Sequence, residues 1–145
     1  DFSSATVGIW IQAGSVYEND DERGAAHLLE HLVFKGARKV SGEKRNMTQI
    51  AAEMDLLGAG ANAFTEREMV CYHVRVLSEH LPRAMNLLCD LVARPTLDEA
   101  DLMLEKGVVI EEIKSVEDEP DELAADLFNE TIYANSRWGH SILGT

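Results

Sequence analysis

A chain of 145 residues, 46% hydrophobic and 27% charged, is long enough for one domain with its own core. Its formal net charge of −13 argues against binding nucleic acid or docking on anionic lipid, and favours cationic ligands if it favours any. No apolar run approaches the ~20 residues of a membrane span, and Cys71 and Cys89 lack C-x-x-C spacing and are expected as buried free thiols.

In chain order, Asp1-Phe2-Ser3-Ser4 leads into an alternating stretch over residues 5–13, with Val7, Ile9, Ile11 and Ala13 on one face. That is a half-buried strand. A polar, acidic loop follows to Gly24. Residues 24–34 form a helix, with Gly36 expected as its cap, and residues 37–45 form a basic loop. A second helix spans 47–57 and stops at Gly58. Residues 60–66 and 69–77 read as two strands, an antiparallel pair, the first of low bulk and the second with Val70, Tyr72, Val74 and Val76 on one face. Ser78 is expected to cap a helix to residue 93. Thr96 and Glu99 read as a capping box opening a long helix over 97–117. Pro120 breaks it, and Asp121 starts a further helix. The order is that of an α+β fold, an antiparallel sheet with helices packed on one face. The chain opens at Asp1 and not at methionine, and ends without capping residues, so a single domain cut from a longer protein is expected.

The chemistry gathers in His27-Leu28-Leu29-Glu30-His31. Histidines four apart share one helix face, where one metal ion can take both. Glu30 stands about 100° round the helix from His31, within reach of a water on such a metal. This is the H-x-x-E-H order. Two histidines do not make a catalytic zinc site, which needs a third ligand and an open position. The long helix offers Glu105, Glu111 and Glu112. An apolar stripe through Val108, Val109 and Val116, with Leu102 and Leu104 above it, puts Glu105 and Glu112 on the inward face. Glu111 falls to the solvent edge beside Lys114. Inward carboxylates are costly unless paired, protonated or metal-bound. His73, His80 and His140 read as structural or exposed, Trp10 and Trp138 as packing or edge residues, and residues 117–122 as a solvated acidic turn.

These residues resemble the inverzincin, or pitrilysin-type, zinc metallopeptidases, a family that includes bacterial and mitochondrial processing peptidases. The helix Gly24–Gly36, the loop Gly14-Ser15 with Glu18, the strand Leu57–Thr65, the helix Glu105–Ile113 and the closing Leu143-Gly144-Thr145 all look like family motifs. Val16 stands where the family often has arginine, and Ala59 where it has glycine. The resemblance implies Zn²⁺ held by His27, His31 and Glu112, with Glu30 as general base and Glu105 as a supporting acid behind Glu112. It implies an extended peptide or unfolded polypeptide bound by strand addition at Asn62, Ala63 and Phe64. It also implies paired domains, or a homologous subunit, closing over the substrate, so that this part alone binds zinc but cleaves poorly. An inert scaffold or partner subunit, or a metal-binding module that needs the ligands but not Glu30, are the alternatives. A bacterial cytoplasm or periplasm is the expected compartment.

Overall fold

The computed structural model describes residues 3–145. Asp1 and Phe2, read as the lead-in to the first strand, lie outside that range. Strand β1 (Ser4–Ile11) is followed by two single 3₁₀ turns and helix α1 (Ala25–Val33). Then come β2 (Gly36–Arg38), β3 (Lys44–Asn46), α2 (Met47–Leu56), β4 (Gly60–Thr65) and β5 (Val70–Leu77). Helices α3 (Leu81–Ala93), α4 (Glu99–Asp118) and α5 (Pro120–Ile132) complete the chain before a short tail. Among the described residues, no helix is long and apolar enough to cross a membrane.

The expected α+β fold is the one found. The main sheet has the order β1-β5-β4, antiparallel throughout, with Val7 opposite Val74, Ile9 opposite Tyr72 and Ala63 opposite Tyr72. Because side chains alternate along a strand, Val70, Tyr72, Val74 and Val76 all face the helices. They pack with Val33, Ile50, Leu57 and the Ala84–Leu91 face of α3 to form the core. The opposite face carries Trp10 and Phe64, both exposed. Strand β5 is central, so β4 is an edge strand. Cys71 is buried and Cys89 half-buried, and both are free thiols.

Several local expectations give way to tertiary contacts. Residues 37–45 are not a plain loop: β2 and β3 pair as a small hairpin, with Arg45 buried against Asp90. A buried arginine leaves no hydrophobic trace in the sequence. Gly36 is not a helix cap. It lies in β2, where an added Cβ would come within 2.4 Å of Thr96 Oγ1. Thr96 packs on Gly36 and does not cap α4. Its N–H is spent on Gly36 O at 2.9 Å, and the helix starts three residues later with Asp98 at the cap position. Ser78 likewise does not cap α3. Its N–H donates to Ser3 O at 3.1 Å, extending the β1–β5 ladder, and a 3₁₀ turn intervenes before Leu81. On α4, the inward stripe is narrower than read. Val109 and Glu105 are buried, whereas Val108 is 44% exposed and Leu104 68% exposed.

Leu88 is 1% exposed beneath the sheet. Leu88→Ala leaves a cavity there and is expected to lower unfolding free energy by about 2–5 kcal/mol in urea melts. A change inside experimental error contradicts this placement of the core.

Candidate metal centre and active site

Helix α1 has no Ser, Thr, Asp or Asn at its cap position. Gly24 stands there at φ +84°. An added Cβ would come within 2.5 Å of Leu143 O, and Gly144 presses back on Arg23 O in the same way. This backbone-on-backbone contact seats the chain's tail on the start of the helix. The orphan N–H groups of α1 are taken by a carboxylate from the preceding loop. Buried Glu18 accepts from the Gly24 N–H at 2.8 Å and from the Ala26 N–H at 2.7 Å. A negative group there also meets the positive end of the helix dipole. Sequence reasoning missed this role of Glu18. Its signal is a helix start without a capping side chain, with an acid six residues upstream.

His27 and His31 face α4, one turn apart, with ring centroids 4.7 Å apart and planes at 72°. Glu112 reaches both from α4. Its Oε2 lies 3.7 Å from His27 Nε2 and 3.4 Å from His31 Nε2. One ligand atom from each of the three residues falls within a 4.8 Å cluster. Donors about 2.0–2.2 Å from one tetrahedral ion lie roughly 3.4 Å from each other, so this set fits zinc. Burial, then the neighbouring His31, push the His27 pKa below 6.5, against the opposing pull of Glu112, Glu30 and Glu18. That favours the neutral imidazole, which is the ligating form. Among the described residues, the buried His27 Nδ1 has no hydrogen-bond partner.

Glu105 is the more deeply buried acid, its side chain 7% exposed against 41% for Glu112. It does not stand behind Glu112 as expected. Its Oε2 is 3.1 Å from His31 Nδ1, and its Oε1 accepts from Lys35 Nζ at 2.7 Å. Glu105 therefore orients His31, with Nδ1–H towards the acid and Nε2 turned to Glu112. Burial alone would raise the Glu105 pKa. The hydrogen bonds and charges of Lys35 and His31 outweigh it and hold the carboxyl below 4.5.

Glu30 is tied to the sheet. Thr65 Oγ1, at the end of β4, donates to Glu30 Oε2 at 2.5 Å. Burial, together with the Glu30 charge, pushes the Tyr72 hydroxyl well above its ordinary range. Asn62, Ala63 and Phe64 lie on edge strand β4, against which α1 packs. The Ala63 N–H donates to the Asn62 side-chain oxygen at 2.9 Å. Glu111 points to solvent and pairs with Lys114, as its position on the helix implied.

Fold and donor set together describe an α+β domain in which three potential metal donors, His27, His31 and Glu112, gather beside a further acid, Glu30. The family follows from the sequence as a whole. Residues 2–145 match the family described as Insulinase (Peptidase family M16), and the chain belongs to it. It is 41% identical over 142 residues to mitochondrial-processing peptidase subunit beta of Homo sapiens, covering 98% of this chain and 28% of that protein. It is 42% identical over 142 residues to the uncharacterized zinc protease YmxG of Bacillus subtilis (strain 168), covering 98% of this chain and 34% of that protein. The chain thus spans about a third of the length of these relatives. In fold it is similar to a protease from Helicobacter pylori, at TM-score 0.88 and 22% identity over 98% of this chain and 33% of that one. It is also similar to a peptidase M16 inactive domain from Pseudomonas fluorescens, at TM-score 0.85 and 21% identity over 99% of this chain and 34% of that one. The resemblance read from the motifs is borne out at the level of family.

The lowered pKa of Glu105 has a consequence for the metal-free chain. Its charged form is stabilised in the folded state, so it contributes stability above pH 4.5 that is lost as pH falls through its lower folded value. Melts of the chelated protein across pH 3–7 (roughly, the carboxylate range) are expected to show Glu105→Gln less stable than wild type at neutral pH. The gap closes at the acid end. A gap that widens on acidification contradicts the assignment.

Proposed function

We propose that this chain carries the active site of a zinc-dependent peptidase, with His27, His31 and Glu112 as metal ligands and Glu30 as general base. The observation that carries it is convergence: two histidines of α1 and one carboxylate of α4 present donor atoms within 4.8 Å of one another, with a further acid on the same helix. The relatives named as zinc proteases support the choice of metal.

When bound, zinc supplies a Lewis acid that acidifies a water and polarises the scissile carbonyl. Glu30 takes a proton from the attacking water and delivers it to the leaving amine. Glu105 acts through His31, keeping its Nε2 free and aimed at the centre. An extended peptide or unfolded polypeptide adds to the edge of β4, its carbonyl replacing the Asn62 side chain on the Ala63 N–H. Asn62 and Phe64 then contact it from one face of the strand and Ala63 from the other. The rest of the protein, or a homologous subunit, completes the chamber, so the 145 residues alone bind zinc but cleave poorly.

Two variants separate this reading from an inert scaffold and from a metal-binding module. In the full-length protein, Glu30→Gln is expected to keep its zinc and to lose peptide cleavage by about a hundredfold or more. Glu112→Ala is expected to lose both. Undiminished cleavage by Glu30→Gln removes Glu30 as the base, and cleavage by neither wild type nor variant removes the peptidase reading.

A further inference from the structure

We infer that Thr65 is a positioning residue for Glu30, and that through it the strand proposed to receive the peptide also aims the base. The inference rests on the peptidase reading of the site and adds to it a residue with no role so far.

The geometry starts from the period of two along β4. Ala61, Ala63 and Thr65 share the face turned towards the helices, and Asn62 and Phe64 take the other. Thr65 carries the one hydroxyl on that inner face. It is the last residue of the strand, opposite fully buried Val70, and the Glu66 N–H closes the following turn on Met69 O at 2.8 Å. Its backbone is therefore fixed on both sides. A β-branched side chain has little freedom about χ1, so the hydroxyl is held where the strand puts it.

Glu30 is a long side chain that would otherwise sample several rotamers. The 2.5 Å separation from Thr65 Oγ1 falls in the range of charge-assisted O–H···O⁻ bonds, and both residues are half-buried, which limits competition from water. The bond engages Oε2. Among the described residues, no hydrogen bond engages Oε1. A carboxylate tethered by one oxygen presents the other in a set direction, and the donated hydroxyl proton does not occupy the oxygen that must accept one. Asn62–Phe64, where the peptide is proposed to lie, immediately precedes Thr65 in the same strand. Peptide and base are thereby referred to a single rigid element, which is the condition for a reproducible attack geometry.

The test compares Thr65→Val, which keeps the shape and loses the hydroxyl, with Thr65→Ser, which keeps the hydroxyl, in the full-length zinc-loaded protein. Measured are kcat and KM for peptide cleavage, zinc content, and the Glu30 side-chain position in crystals of each variant. Thr65→Val is expected to lower kcat by about tenfold or more, with KM and zinc content within about twofold of wild type. Thr65→Ser is expected to restore kcat, and the Glu30 carboxylate to swing away from residue 65 only in the valine variant. A wild-type kcat in Thr65→Val, a serine variant as poor as the valine one, or an unmoved Glu30 overturns the inference. If the wild type does not cleave at all, the peptidase reading fails separately, and the tether is still decided by where Glu30 lies in the two crystals.

Discussion

The bridge that Glu105 makes between His31 and Lys35 is the interaction on which the arrangement depends. It joins α4 to α1 across 74 residues of sequence and sets how the two helices meet. A carboxylate this deeply buried is tolerable only with both oxygens engaged, one by a lysine and one by an imidazole. Once that register is set, the rest follows from helix geometry. Glu112 lies seven residues, two turns, further along α4 on the same face, and from there its Oε2 comes to 3.4 Å from His31 Nε2 and 3.7 Å from His27 Nε2. Without the bridge, Lys35 and His31 would lose a partner together and Glu112 would have no fixed approach to either ring.

The sheet supplies the second constraint. Helix α1 is capped from the loop by Glu18, seated at its start by the Gly24–Gly144 contact, and tied at its middle to β4 by Glu30 and Thr65. The helix that carries two of the proposed ligands and the proposed base is therefore held at three points by three different parts of the chain. Strand β4 has β5 on one side only among the described residues. The element that orders Glu30 is thus also the one with a backbone edge available to a guest. Candidate metal donors, proposed base and candidate peptide edge form one connected unit.

Much of this was legible in the sequence, and for identifiable reasons. The His27–His31 pair is a local pattern, and helix periodicity alone puts both rings on one face. The core of β5 is equally local, a run of alternating apolar residues. The apolar stripe that puts Glu112 inward holds only in part. Val109 faces in, but Val108 does not, and the acid that the packing buries is Glu105. Periodicity shows which residues share a helix face; it does not say how wide the buried strip is or which neighbour an acid meets. The failures share a cause. Gly36, Thr96 and Ser78 each look like local punctuation, and each is instead spent on a long-range contact. Arg45 is buried because Asp90 waits for it, a pairing that no local window contains. Glu18 and Thr65 lie inside family-like motifs, but a role for either needs the partner's position in space.

In the proposed arrangement α1 and α4 meet so that His27, His31 and Glu112 share one metal ion while Glu105 holds His31 from behind. Anomalous diffraction at the zinc edge from crystals of the zinc-loaded protein measures this directly. One strong peak is expected about 2.0–2.2 Å from a nitrogen of each histidine and an oxygen of Glu112, with Glu105 bonded to His31 Nδ1 and outside the coordination sphere. A peak ligated by Glu105 in place of Glu112, or one that leaves either histidine uncoordinated, would contradict it.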